Sequence, residues 1–159
     1  MTIDQVRLFL AERGFLDRLR EFEQSTATVE LAAEALGAAP DQIAKSLAFY
    51  RDDGAVLVVA AGTRRVDNRK FKDQFGVKAR MLSAEDTERL TGNAPGGVCP
   101  FLTPDAVRVW LDVSLRDHET VYPAAGSPHS GVALSCAELE ALVEPDGWCD
   151  VCKPLEAAT

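Results

Sequence analysis

Four short stretches of the chain carry groups able to do chemistry. Lys45 is the first. If residues 45–51 form a strand, residues two apart share a face, so Lys45 stands at the mouth of a face carrying Leu47 and Phe49. An ammonium there either snorkels to water along its own methylenes or is held to grip a substrate. The second stretch is Gly96-Gly97-Val98-Cys99-Pro100. Adjacent glycines allow unusual dihedrals and close approach of a ligand. Successive N–H groups in such a turn can bind a carbonyl oxygen or an anion, and Pro95 and Pro100 stiffen its ends; the alternative is a plain tight turn. The third, Gly126-Ser127-Pro128-His129-Ser130-Gly131, places one of two histidines in a small polar loop. There it could orient a substrate or exchange a proton near neutral pH, or simply face solvent. The fourth, Cys149-Asp150-Val151-Cys152, has the spacing of redox pairs and half zinc sites. No second pair stands at ligand spacing, and in one terminal strand the two sulfurs would fall on opposite faces.

Gly-x-Ser-x-Gly, the Walker loop, His-Glu-x-x-His and a serine triad are all missing from the sequence. The chemistry is therefore expected to run without an obvious protein nucleophile, with Cys99 in reserve, and without a metal or cofactor.

The elements that must position these groups are readable in outline. Thr2 and Gln5 form a capping-box pattern before Val6, Phe9 and Leu10, with Gly14 as terminator. Val29–Leu36 reads as a helix capped by Thr26 or Thr28 and closed by Gly37, and Pro40 opens a short helical turn. Lys45–Arg51 and Ala55–Ala61 read as a hairpin about Asp52-Asp53-Gly54. A basic helix over Asp67–Phe75 stops at Gly76, and Val77–Met81 reads as a short strand. Ser83 and Asp86 start a helix ending at Gly92. Strands are expected over Val107–Val113, Glu119–Tyr122, Val132–Leu134 and Trp148–Val151, and Ser135 with Glu138 makes a second capping box. Short strands mixed with helices, without strict alternation, imply one domain over residues 1–159 of mixed α+β or α/β class.

The composition fits that outline. With 159 residues, 47% of them hydrophobic, the chain suits a single domain with a real core. Its longest apolar run, Ala55 to Gly62, is far short of the roughly twenty residues of a membrane span. Asp4 precedes any basic residue, which does not suit a secretory signal, and four late, unevenly spaced cysteines suit a reducing, cytoplasmic setting. The net charge of −8 excludes non-specific coating of nucleic acid, yet it is unevenly spread. Residues 64–80 hold seven cations, Arg64, Arg65, Arg69, Lys70, Lys72, Lys78 and Arg80, against Asp67 and Asp73. Such an island is either a phosphate footprint or a solvated helix face. No helix-turn-helix accompanies it, so a DNA partner is not expected.

Taken with their order and spacing, these segments resemble the YbaK-type family, the prolyl-tRNA synthetase-associated editing domain that also occurs as free-standing proteins. The resemblance runs from about Ser25 to Lys153. It is carried by Ser25-Thr26-Ala27-Thr28-Val29, Gln42-Ile43-Ala44-Lys45-Ser46-Leu47 and Val56-Leu57-Val58-Val59-Ala60-Ala61-Gly62. Thr91-Gly92, Gly96 through Phe101, Asp112 in Leu111-Asp112-Val113-Ser114-Leu115, and Ala125-Gly126-Ser127-Pro128-His129 complete it.

The resemblance implies a barrel-like mixed sheet with helices packed outside, and hydrolysis of wrongly charged aminoacyl-tRNA. The family's functional lysine matches Lys45, its G-x-x-x-P loop matches Gly96–Pro100, and its loop histidine matches His129. On that basis Lys45, the N–H groups of Gly97, Val98 and Cys99, and His129 are the expected catalytic set. Thr26, Ser46, Gly62, Gly96, Pro100, Asp112 and Ser127 are expected to bind the substrate, and Arg64, Arg65, Arg69 and Lys70 the tRNA. Lys45 would anchor the terminal nucleotide, the turn would hold the ester carbonyl as charge develops, and the free ribose hydroxyl would activate water. Two positions depart from relatives: Ser46 stands where alanine-editing members carry asparagine, and Cys99 where others carry serine. The expected amino acid is small (cysteine, alanine, serine or threonine) and the tRNA is tRNA-Pro or a related one. A synthetase is a further expected partner, the protein being a monomer or weak homodimer. The rival reading is a non-catalytic module that binds aminoacyl-tRNA or a synthetase.

Overall fold

The computed structural model describes residues 2–154. In chain order the elements are α1 (Ile3–Glu12), β1 (Leu19–Glu21), α2 (Val29–Leu36), β2 (Ile43–Arg51), β3 (Gly54–Ala61) and β4 (Arg64–Val66). There follow α3 (Asn68–Phe75), α4 (Ala84–Thr91), β5 (Val107–Asp112), β6 (Tyr122–Pro123), β7 (Ser130–Val132), α5 (Cys136–Val143), β8 (Gly147–Cys149) and β9 (Cys152–Pro154). Local chemistry sets the helix starts. Thr2 and Ser135 each close a full capping box, Thr28 rather than Thr26 caps α2, and Asp67 and Ser83 cap α3 and α4.

Five strands in the order β6-β2-β3-β5-β8 make a mixed, curled half-barrel sheet, with helices outside it. Only β2–β3 is antiparallel; the other three pairings are parallel. β3 is central and buried from Ala55 onward, which explains its unbroken apolar run: both faces are covered. Leu57 and Val59 face one apolar cluster with Val6, Leu10 of α1 and Leu139 of α5. Val56, Val58 and Ala60 face the other, with Phe71 and Phe75 of α3. Among the described residues no helix is long and apolar enough to cross a membrane.

Several expected strands are corrected. Val77–Met81 makes only a single bridge, Met81 to Phe49, because the segment meets β2 along a short stretch of its far half. At residues 119–122 the pairing is also reduced, to a bridge between Val121 and Leu134 and the two-residue β6. The chain breaks at Asp150-Val151 between β8 and β9, so Cys149 and Cys152 are not on opposite faces of one strand: both are buried in the α3-side cluster. The short pairs β1–β7 and β4–β9 were not visible in the periodicity, since three residues are too few to show one.

Candidate functional site

The outer edge of β2 is covered in two separate pieces. β6 pairs with Ile43 and Ala44. Farther along, Tyr50 N–H donates to the Arg80 carbonyl at 2.9 Å and Leu82 N–H to the Ala48 carbonyl at 3.0 Å. Between them, Lys45, Ser46 and Leu47 have no strand partner on that side among the described residues. Peptide groups alternate sides along an antiparallel strand. Since Ala48 and Tyr50 point outward, Ser46 does so too, and its N–H and C=O face the gap. A cavity of about 280 Å³ lies there, and Lys45, Ser46 and Leu47 are in its wall. Ser46 Oγ is buried and has no hydrogen-bond partner among the described residues.

Three loops close the far side. Gly96 takes φ +91°, and an added Cβ would stand 3.1 Å from Ala27 Cβ, so the turn lies directly on the Thr26–Thr28 segment. An added Cβ on Gly97 would stand 3.7 Å from both Ser127 and Pro128, in ordinary contact. Thr26 ties the third loop in: its N–H donates to the Pro128 carbonyl at 2.6 Å, and its Oγ1 accepts from Ser130 N–H at 3.0 Å. Thr26, Gly96 and Val98 line the cavity together with Lys45 and Ser46. Apolar wall comes from Ala44, Ala48, Leu82 and Tyr122, none singled out by sequence because each reads as ordinary core.

Lys45 reaches the cavity wall, but its ammonium is engaged elsewhere. Nζ donates to the carbonyls of Gly62, at 3.3 Å, and Arg64, both just beyond β3. Burial lowers its pKa, opposed by the nearby Cys152 and Glu30. The turn that supplies those carbonyls is clamped by Asp41, which accepts from Thr63 and bonds His118, with Arg64 Nε at 3.7 Å. Burial alone would raise the Asp41 pKa; the bonds from Thr63 and His118 outweigh it and hold the carboxyl below its ordinary value. Neither Asp41 nor His118 was a sequence candidate, and no motif marks them: the pair forms only when residues 77 positions apart meet. Gly62 is required here because a Cβ would stand 2.1 Å from the Pro40 carbonyl oxygen.

Apart from Val98, the other expected site residues stand outside the cavity lining. Gly97 N–H already donates to the Ala94 carbonyl at 3.0 Å, so it is not the free oxyanion donor expected. Val98 N–H makes no hydrogen bond among the described residues. Cys99 and Pro100 are buried, and the Cys99 thiol donates to the Phe101 carbonyl; burial pushes its pKa up to about 11. His129 is exposed, with Nδ1 3.0 Å from the Gln24 carbonyl oxygen. Ser127 Oγ accepts from His129 N–H and shapes the loop from within. Asp112 is 1% exposed and wholly engaged inside the fold, accepting from Ser114 and Val151 N–H groups at 3.0 and 2.9 Å. It therefore holds the chain's last described segment rather than facing the cavity. Burial also raises the Cys149 thiol and pushes Cys152 up to about 12. No cluster of three or more potential metal ligands occurs among the described residues.

The basic island divides. Arg64 pairs with Asp117 at 3.1 Å, and Lys70 with Asp150 at 3.2 Å. Arg65 and Arg69 are exposed.

A family model described as the aminoacyl-tRNA editing domain matches residues 23–142. The uncharacterized protein YwhH of Bacillus subtilis (strain 168) is 43% identical over 157 residues, covering 98% of this chain and all of that protein. A proline–tRNA ligase of Shouchella clausii (strain KSM-K16) is 33% identical over 105 residues, covering 65% of this chain but only 18% of the ligase. Among solved structures, a candidate trans-editing enzyme for prolyl tRNA synthetase superposes with a TM-score of 0.84 at 33% identity, covering 95% of this chain and 96% of that one.

Proposed function

The chain belongs to the aminoacyl-tRNA editing domain family, and on that premise we propose that it acts in trans to hydrolyse the ester of a small, wrongly attached amino acid on tRNA-Pro or a related tRNA. The observation that carries this reading is the cavity at the β2 edge gap. Its 280 Å³ lies just under the usual range of about 300–1,000 Å³ for small-molecule pockets. That volume readily admits alanine, serine, threonine or cysteine; sparing of the cognate residue then rests on a local clash with the cavity wall rather than on total volume. Exclusion by clash discriminates more sharply than the roughly 1–3 kcal/mol that one methylene supplies in binding.

The polar groups match the same ligand. Ser46 offers an outward N–H and C=O and an unpartnered Oγ to an α-amino group or a small polar side chain. Val98 N–H is the donor available to the ester carbonyl oxygen as negative charge develops there. The Lys45 ammonium has three hydrogens, two of them directed at Gly62 and Arg64, leaving one for the terminal nucleotide. The buried, protonated Cys99 thiol supports a route through activated water, with the neighbouring ribose hydroxyl as its activator.

The test is a panel of tRNAs mischarged with cysteine, alanine, serine or threonine, with correctly charged prolyl-tRNA alongside. Release of one small amino acid at catalytic protein levels, with prolyl-tRNA spared, is expected. Stoichiometric binding of every species without ester loss overturns the proposal in favour of a binding module.

A further inference from the structure

A second concavity, about 580 Å³, lies beside the cavity and is lined by Tyr50, Arg51, Asp52 and the Val77–Arg80 segment. We infer that this groove receives the single-stranded 3′ end of the tRNA, the nucleotides just before the terminal one. The inference rests on the proposed tRNA substrate and adds the path by which it enters.

Charge is the first argument. Arg51, Lys78 and Arg80 face one carboxylate in the lining, Asp52, and none of the three cations forms an ion pair among the described residues. This contrasts with Arg64 and Lys70, which carboxylates already neutralise. Pre-organisation is the second. The Arg80 guanidinium lies 4.5 Å above the Tyr50 ring centroid, and that of Arg51 5.3 Å from the Phe75 centroid. Guanidinium planes held on aromatic rings suit phosphates and unstacked bases, the features by which single-stranded RNA is bound.

Continuity is the third. Ala79 and Arg80 line the groove, while the next two residues, Met81 and Leu82, line the cavity. The bonds from Tyr50 to Arg80 and from Leu82 to Ala48 fasten this segment to β2, so the two hollows share a wall. Met81, 57% exposed at their junction, offers an apolar surface to a base passing from one to the other.

The experiment measures binding of unfractionated uncharged tRNA, whose members share one single-stranded 3′ end, against the same tRNA trimmed of that end. Wild-type protein is expected to bind intact tRNA at least tenfold more tightly. Lys78→Glu/Arg80→Glu is expected to abolish that preference, and its log–log salt slope to fall by about 1.4, at roughly 0.7 per phosphate contact on a single strand. Lys78→Ala/Arg80→Ala should move both in the same direction, and Arg20→Glu, an equal charge change outside the groove, should leave them unaltered. Equal binding of intact and trimmed tRNA by wild type, or an unchanged preference in the double variants, overturns the inference. Because the tRNA is uncharged, the result is independent of hydrolysis: binding without ester cleavage would sink the proposed activity and leave the groove standing.

Discussion

Lys45 and Gly62 are joined across the β2–β3 hairpin: the ammonium donates to the Gly62 carbonyl at 3.3 Å, which fixes the lysine side chain against the turn beyond β3. Lys45→Ala is expected to lower kcat/KM for mischarged tRNA by about 10–10²-fold, the scale of one hydrogen bond involving a charged group. The pH profile separates charge from packing. Burial places the folded pKa below that of free lysine, so the ammonium is lost at a lower pH on the alkaline side. Wild-type activity, corrected for spontaneous ester loss, should fall there, and Lys45→Arg should lose that alkaline limb because guanidinium stays charged. A profile identical in wild type and Lys45→Arg would remove the charge from the mechanism.

Asp41 acts through other groups. It fixes Thr63, His118 and Arg64, and so the carbonyls that hold Lys45. Asp41→Asn is expected to cost about 1.5–3 kcal/mol of stability at neutral pH, the worth of hydrogen bonds to a charged group. The sign with pH follows from the depressed carboxyl: its contribution is complete above the unfolded-state pKa and is lost as pH falls through the lower folded value. Wild type and variant should therefore converge in acid denaturation. A positioning role further requires that the variant lose the same alkaline limb that reports Lys45; an unaltered limb would leave Asp41 a purely structural clamp.

Cys99 is 3% exposed, and its pKa of about 11 keeps it a thiol across the working range. Cys99→Ser should retain at least a third of wild-type kcat, and iodoacetamide should leave Cys99 unmodified in the folded protein at pH 8. Rapid alkylation with matching loss of activity would return the thiol to the mechanism.

The hairpin, the capped helices and the Gly96 turn were legible, because each is written in local chemistry: Asp52-Asp53-Gly54, the Thr2 and Ser135 capping boxes, and the glycine at 96 that takes a positive φ; the Thr26 segment stood out only through the family resemblance. What was not legible depends on tertiary register. Nothing near Ser46 announces that β6 stops at Ala44 and that residues 80–82 resume only at Ala48, yet that interval creates the open edge. Asp112 sits in a matching motif, and only the fold reveals that Ser114 and Val151 occupy its oxygens. Likewise charge counting cannot separate Lys70, paired with Asp150, from Lys78, which faces the groove.

Ser46 gives the sharpest separation of function from stability. A buried hydroxyl without a partner costs roughly 1–3 kcal/mol in desolvation, so the free protein carries a penalty at this position. Ser46→Ala removes the hydroxyl and keeps the backbone, leaving the edge N–H and C=O in place. If the hydroxyl serves the substrate, the variant should melt at the same or a higher temperature and yet lose about tenfold in kcat/KM, the equivalent of one hydrogen bond worth 1.4 kcal/mol. A purely structural serine predicts the reverse pairing, a lower Tm with catalysis intact, because its loss would then open a small void in the wall and nothing else. The two signs are opposite, so thermal melting and steady-state kinetics on the same preparation decide between them.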